Sequence, residues 1–217
     1  MTRERLWLFD TTLRDGQQTQ GVDFSAADKR RIAEALDALG LDYIEGGWPG
    51  ANPTDSEVFD NPPSIAHARF TAFGMTKRSG RSAANDDVLA AVANAGTTTV
   101  CLVGKAHDFH VERALGVPLD ENLENIRASM AHMVSLGREA LFDAEHFFDG
   151  YAANPDYALA CLEAALEGGA RWAVLCDTNG GTLPGRIAEV TADVCARFGG
   201  ECIGIHTHND METAVAG

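Results

Sequence analysis

Short apolar runs alternate with amphipathic stretches along nearly the whole chain. The run at residues 6–9 predicts a first strand. Residues 25–39 carry helical spacing through Ile32, Ala35, Leu36 and Leu39, with Ser25 and Asp28 as an N-cap pair and Gly40 as the stop. The same rhythm then repeats. Strands are predicted at 41–45, 69–74, 97–103, 139–142, 172–176 and 202–206. Helices are predicted at 55–59, 86–95, 119–136, 154–166 and 184–198, most of them closed by Gly96, Gly137, Gly168-Gly169 or Gly199-Gly200. Pro155 stands in the first turn of its helix, where its missing N–H costs nothing.

Strands that alternate with helices imply parallel pairing with both faces of the sheet covered. Seven such units fit the α/β class as a (β/α)8 TIM barrel better than an open doubly wound sheet. No Gly-x-Gly-x-x-Gly follows the first strand, which argues against a dinucleotide fold. The expectation is a single catalytic barrel domain over residues 1–217, truncated after strand seven. Gly217 falls inside the helix expected there, so the eighth strand and later segments are expected to be missing.

Composition narrows the class. Hydrophobic residues make up 45% and charged residues 23%, as in soluble globular chains. The net charge of −15 argues against binding to nucleic acid or to an anionic membrane surface. Any anionic ligand must be met by local cations, and Lys105 and the Lys77, Arg78, Arg81 group are the candidates; loop solvation is the simpler account of Lys77 and Arg81. The start, Met1-Thr2-Arg3-Glu4-Arg5, lacks a secretory apolar core, and no apolar run is long enough to cross a bilayer. Cys101, Cys161, Cys176, Cys195 and Cys202 lie in apolar segments without a Cys-x-x-Cys pair, and are expected to be buried thiols of a cytoplasmic protein.

Polar residues gather just after strands: Arg14 and Asp15, Glu45, Lys105, Glu145, Asp177 and Thr178, then His206 and His208. In a parallel barrel these positions share the C-terminal face, where active sites are built. On a strand His206 and His208 point the same way. Two imidazoles joined by a distant carboxylate such as Asp15 suit a divalent metal, with Arg14 as a fixed positive charge beside it. Each half has a plainer alternative: a lone His-x-His is often surface or core histidine, and Arg-Asp-Gly after a strand is often a turn with a solvated ion pair. Their joint occurrence at the ends of the first and last strands is the more specific signal.

Those residues carry a resemblance. The chain is similar to the acyl-CoA-condensing TIM-barrel metalloenzymes, namely the isopropylmalate, homocitrate and citramalate synthases together with hydroxymethylglutaryl-CoA lyase. Within the group it most resembles the citramalate synthases, on the segments Asp42-Tyr43-Ile44-Glu45-Gly46-Gly47-Trp48-Pro49-Gly50, Asp143-Ala144-Glu145-His146-Phe147-Phe148-Asp149-Gly150-Tyr151 and Cys176-Asp177-Thr178-Asn179-Gly180-Gly181.

The resemblance implies Asp15, His206 and His208 as ligands of Mg²⁺, Mn²⁺ or Zn²⁺, with a fourth ligand in a motif this chain does not contain. It implies Arg14 as the catalytic cation, Glu45 as its supporting acid and Glu145 as an acid for binding or proton handling. Gln18 and Thr178 are implied at the substrate, Thr178 on the carboxylate of a 2-oxo acid. His146 is expected to be structural, and Asp177 either to serve the site or simply to satisfy nearby backbone donors. The implied reaction is a Claisen condensation of acetyl-CoA with pyruvate, giving citramalate and CoA, in a full-length homodimer. The alternatives are a synthase for a larger 2-oxo acid, a lyase or aldolase of the same superfamily, or a noncatalytic metal-binding or assembly module.

Overall fold

The computed structural model describes residues 5–217; Met1–Glu4, part of the segment read above as lacking a secretory core, lie outside them. The strands are β1 (Phe9–Asp10), β2 (Tyr43–Gly47), β3 (Arg69–Met75), β4 (Thr99–Lys105), β5 (Glu139–Glu145), β6 (Trp172–Asp177) and β7 (Ile203–Thr207). The helices are α1 (Ala26–Ala38), α2 (Pro53–Asp60), α3 (Asp87–Ala93), a single turn α4 (Asp108–His110), α5 (Leu119–Ser135), α6 (Phe147–Ala153), α7 (Pro155–Glu167) and α8 (Pro184–Phe198). Strands are parallel and follow chain order in the sheet, the topology of a TIM-barrel-like fold. Contacts group the chain into two compact units, one holding the chain up to Gly74 with Asp87–Cys101, the other Met75–Asp86 with Leu102–Gly217.

In the first unit, Leu13, Ala33 and Ile44 form a buried cluster on which Phe24, Ile32, Leu36, Ile65, Ala68 and Phe70 pack. The Ser25–Asp28 pair is a reciprocal capping box. The apolar stripe expected on α1 is only partly right. Leu39 is 77% exposed, whereas Lys29 and Asp37 are buried. Both polar groups are satisfied: Lys29 pairs with Asp55 and reaches the Gly46 carbonyl at 3.4 Å. Asp37 accepts the backbone N–H groups of Ala66, His67 and Ala68 at 2.8, 2.9 and 2.7 Å. Helix α1 thus clamps the end of β2 and the approach to β3 through charge-assisted hydrogen bonds.

The first strand is shorter than its apolar run. Leu6 and Leu8 are 83% and 55% exposed, and the Leu8 N–H is taken by the Asp42 carboxylate rather than by a strand carbonyl. Later strands run further toward their C-termini than their apolar cores suggested, and in β2 and β4 glycine continues them where a neighbour leans in. A Cβ on Gly46 would lie 2.1 Å from Phe70 Cζ, and one on Gly104 would lie 2.8 Å from Phe142 Cε2.

In the second unit, β6 pairs with β5 and β7, placing Ala144 against Leu175 and Cys176 against His206. Ile126, Met130 and Met133 of α5 and Ala158, Cys161, Leu162 and Ala165 of α7 are buried. Gly168 lets α5 approach, since a Cβ there would sit 2.6 Å from the Arg127 carbonyl. Helix α6 and the turn at Asp108–His110 with its continuation Val111–Leu115 have no counterpart in the sequence reading. The helix expected after strand seven is absent up to Gly217; Asn209 instead accepts the Ala214 N–H in a turn at 3.2 Å.

All five cysteines are thiols: Cys101, Cys161 and Cys176 are buried, Cys195 and Cys202 half-buried. Burial pushes the Cys161 thiol up to about 12 and raises those of Cys195 and Cys202. Among the described residues, no helix is long and apolar enough to cross a membrane.

Candidate active site

The first unit brings three of the expected residues together. Asp10 receives the N–H and hydroxyl of Thr12 at 2.9 and 3.1 Å, and the Thr11 carbonyl receives the N–H groups of Arg14 and Gly16 at 3.1 and 3.0 Å. This turn lifts Arg14 and Asp15 off the end of β1. Arg14 Nε lies 2.6 Å from Glu45 Oε2, its Nη1 lies 3.0 Å from Asp15 Oδ1, and its guanidinium carbon stands 3.9 Å above the Phe73 ring. The Glu45 side chain is fully buried, while Arg14 and Asp15 keep 11% and 20% exposure. A planar cation fixed by two carboxylates and an aromatic face is pre-organised, not merely present. Gln18 stands in the turn Gly16–Gln18, exposed, with its backbone N–H on the Asp15 carbonyl.

The second unit carries the others. Lys105 and Glu145, at the ends of β4 and β5, form an ion pair. The Lys105 carbonyl is held by Asn122 Nδ2 at 3.0 Å and Cys161 Sγ at 3.7 Å, which fixes the base of that pair. Asn122 also donates to the Tyr157 hydroxyl, whose pKa burial raises. Thr178 Oγ1 accepts the His146 N–H at 2.8 Å. Asp177 is 2% exposed and accepts the Thr182 N–H and hydroxyl at 3.1 and 2.9 Å, as a carboxylate satisfying nearby donors does.

The His206 and His208 rings are 5.1 Å apart and both side chains are half-buried, with His206 in β7 and His208 just past its end. His206 also lies with Asp143 and Cys176, one ligand atom from each falling within 4.8 Å of the others. The end of β7 is therefore rich in groups able to hold a divalent cation. A carboxylate with two imidazoles suits Mn²⁺ or Zn²⁺, and a thiolate would favour Zn²⁺.

Three features escaped the sequence reading. Phe73 lies mid-strand and nothing in its context marks it as a platform for Arg14. His146 is not on strand five: it adopts φ 56° and ψ 36°, ending β5 and opening α6. His110 packs edge-on against His146 with ring centroids 4.3 Å apart. The spacing His146-x-x-Asp149-Gly150 was the available signal: Asp149 in α6 reaches back to His146, and a Cβ on Gly150 in the same helix would strike the Ala106 carbonyl at 2.5 Å.

Parallel strands in chain order, β1 to β6 each followed by helix, place the chain in the TIM-barrel-like class. It belongs to the HMGL-like family, whose sequence profile matches residues 5–217. It is 51% identical over 215 residues to the (R)-citramalate synthase of Aquifex aeolicus (strain VF5), covering 98% of this chain and 41% of that one. It is 49% identical to the (R)-citramalate synthase of Synechocystis sp., covering 97% and 40%. Among solved structures, hydroxymethylglutaryl-CoA lyase from Pseudomonas aeruginosa shares the fold with a TM-score of 0.80 at 21% identity, covering 98% of this chain and 71% of that one. The chain spans about two fifths of the length of the curated relatives it matches.

Proposed function

We propose that this chain is the barrel portion of a citramalate synthase-type acyltransferase, condensing acetyl-CoA with pyruvate to give citramalate and CoA. The observation that carries the reading is its 44–51% identity to five (R)-citramalate synthases over nearly its whole length, against 31–32% to 2-isopropylmalate synthases. The fixed Arg14–Glu45 pair supports it, since a Claisen condensation needs a positive group where oxyanion charge develops.

In this reading Asp15, His206 and His208 hold a divalent ion, Mg²⁺, Mn²⁺ or Zn²⁺. The donor chemistry fits: one carboxylate and two imidazoles, all half-buried and therefore reachable. Bound there, the ion supplies Lewis-acid polarisation of the 2-oxo acid's carbonyl. Arg14 stabilises the oxyanion, and Glu45 holds the guanidinium so that it does not have to reorganise during the reaction. Thr178 and Gln18 bind the 2-oxo acid, Thr178 at its carboxylate. Glu145, paired with Lys105, serves binding or proton handling. The acetyl methyl carbon loses a proton and bonds to C2 of pyruvate, C2 oxygen gains a proton, and water then cleaves the thioester to release the free thiol of CoA.

The single catalytic domain, the homodimer and the cytoplasmic setting belong to the same proposal; five unbridged thiols suit a reducing compartment. The test is release of thiol from acetyl-CoA by the longest chain containing this segment and by the 217 residues alone. Pyruvate, 2-oxobutyrate, 2-oxoisovalerate and 2-oxoglutarate are compared, with and without chelator. Chelator-sensitive release that prefers pyruvate is expected from the long chain. Silence from a folded, metal-loaded long chain overturns the synthase reading in favour of the lyase or the noncatalytic module.

A further inference from the structure

His146 and Glu212 are the two non-glycine residues with positive φ among the described residues. His146 sits at the junction of β5 and α6, between a strand end that carries Glu145 and a helix that starts at once. Histidine tolerates the left-handed region better than most residues, but it still needs to be held there. What holds it is a closed circuit of contacts. Its N–H donates to Thr178 Oγ1 at 2.8 Å; the next residue along, Asn179, donates from Nδ2 to Asp149 Oδ2 at 2.7 Å; and that same oxygen lies 3.2 Å from His146 Nδ1. The His110 ring packs against the imidazole in a T-shaped arrangement, with ring centroids 4.3 Å apart.

A threonine hydroxyl has one hydrogen to give and two lone pairs to receive with. In Thr178 a lone pair is committed to the His146 N–H, which both fixes the rotamer and withdraws electron density from the oxygen. The hydroxyl hydrogen is then directed away from His146 as a donor. Had His146 continued the strand in extended conformation, the chain after it would not turn into α6 here and Asp149 would no longer brace Asn179, the residue next to Thr178.

We infer that His146 is a positioning residue for the 2-oxo acid: its N–H holds Thr178 Oγ1, and its left-handed backbone turns the chain into α6 so that Asp149 braces Asn179 beside it, leaving the Thr178 hydroxyl as a pre-oriented donor to the substrate carboxylate. The inference rests on the synthase reading for its ligand, a small 2-oxo acid, while the contact it rests on is independent of that reading. It also assigns Asp149 and Asn179 a purpose, as the struts that keep the imidazole and the turn in place.

The test has two arms. In the longest chain containing this segment, His146→Val, whose branched Cβ resists the left-handed region, should raise the KM for pyruvate at least about tenfold with little change in the KM for acetyl-CoA, whereas His146→Asn, which accepts that region, should stay within about threefold of the parent. Thr178→Val should raise the pyruvate KM similarly, and the double variant His146→Val/Thr178→Val should be no worse than Thr178→Val alone. Additive losses, a loss in kcat alone, or an unchanged KM in a folded His146→Val variant would overturn the inference.

The second arm needs no turnover. Hydrogen exchange at the His146 amide should be slow in the parent and accelerate at least about tenfold in Thr178→Val, with the far-ultraviolet circular dichroism unchanged. An amide that exchanges at the same rate in both proteins overturns the contact itself. If the parent condenses no 2-oxo acid while this exchange difference is present, the synthase reading fails and the substrate assignment fails with it.

Discussion

Arg14 Nε lies 2.6 Å from Glu45 Oε2, joining the turn after β1 to the buried middle of β2. The pair links the first strand's loop to the sheet by a hydrogen bond between full charges, and the Phe73 ring closes the remaining side of the guanidinium. An ammonium cannot reproduce that geometry, because it has no planar fork to span Glu45 and Asp15 while stacking on an aromatic face.

Arg14→Lys is therefore expected to fold but to lose about 10²–10³-fold in kcat, the usual consequence of removing a fixed donor at a developing oxyanion. Steady-state kinetics on the longest active chain is the check. A variant that keeps its kcat and changes only KM would remove Arg14 from the chemical step.

Lys29 has a different role in the same unit. Its ammonium is buried against Asp55, which also receives the Trp48 N–H at 2.8 Å. Lys29→Met removes the cation and leaves the carboxylate inside, so urea unfolding should show a loss of about 3–5 kcal/mol. The loss should come without a change of metal affinity.

Asp37 makes part of the stability depend on acid. The N–H of Ala68, then those of Ala66 and His67, hold its carboxyl below the usual carboxylate range in the folded chain. A depressed folded pKa contributes stability that is complete above the unfolded value, near 3.8, and is lost as pH falls through the folded one. Asp37→Asn should lower stability at pH 6 and flatten the acid limb below about pH 4 in urea titrations. A parallel downward shift at every pH would speak for lost packing alone.

His110 titrates in a higher window with the same sign. Burial, and then the nearby His146, His107 and Lys105, push its pKa below the ordinary 6.5, with Glu145 opposing weakly. The stability it contributes is complete above that unfolded value and drains away on acidification below it. His110→Gln should remove the part of the stability loss that sets in between about pH 6.5 and 5. Nuclear magnetic resonance titration of the ring would give the folded pKa directly.

Replacing His208 by Gln should weaken divalent-metal binding by more than the roughly 10–100-fold typical of an outer hydrogen-bond partner, because a direct ligand is lost. Equilibrium dialysis with Mn²⁺ measures it. Equal affinity in the parent and His208→Gln would remove this residue from the proposed ligand set.

The architecture was legible because it is written in periodicities. Ser25 and Asp28 announced the start of α1, glycines such as Gly40 and Gly137 marked its kind of ending, and β-branched and apolar runs marked the strands. What could not be read was structure without a periodic signature. The buried Lys29 and Asp37 occupy the inner face of α1 because each has a specific partner more than twenty residues away. Helix α6 was invisible because His146, not glycine, makes the turn before it. At the candidate site the polar residues Arg14, Glu45, Glu145 and Thr178 stood out by position after strands, whereas the contacts that orient them, Phe73 on Arg14 and His146 on Thr178, are products of packing.

The protonated, sheltered thiols bear on how activity is observed. Reagents that colour on meeting a thiolate follow free CoA through its exposed sulfur. The chain's own sulfurs meet such reagents slowly, Cys161 because it is buried with its pKa pushed up to about 12 and Cys195 and Cys202 because theirs are raised as well. Turnover thus stands out over a low and steady baseline from these residues. A sudden rise in that baseline without substrate reports the burial around these sulfurs being lost, so one cuvette serves as both a catalytic readout and a clock for unfolding.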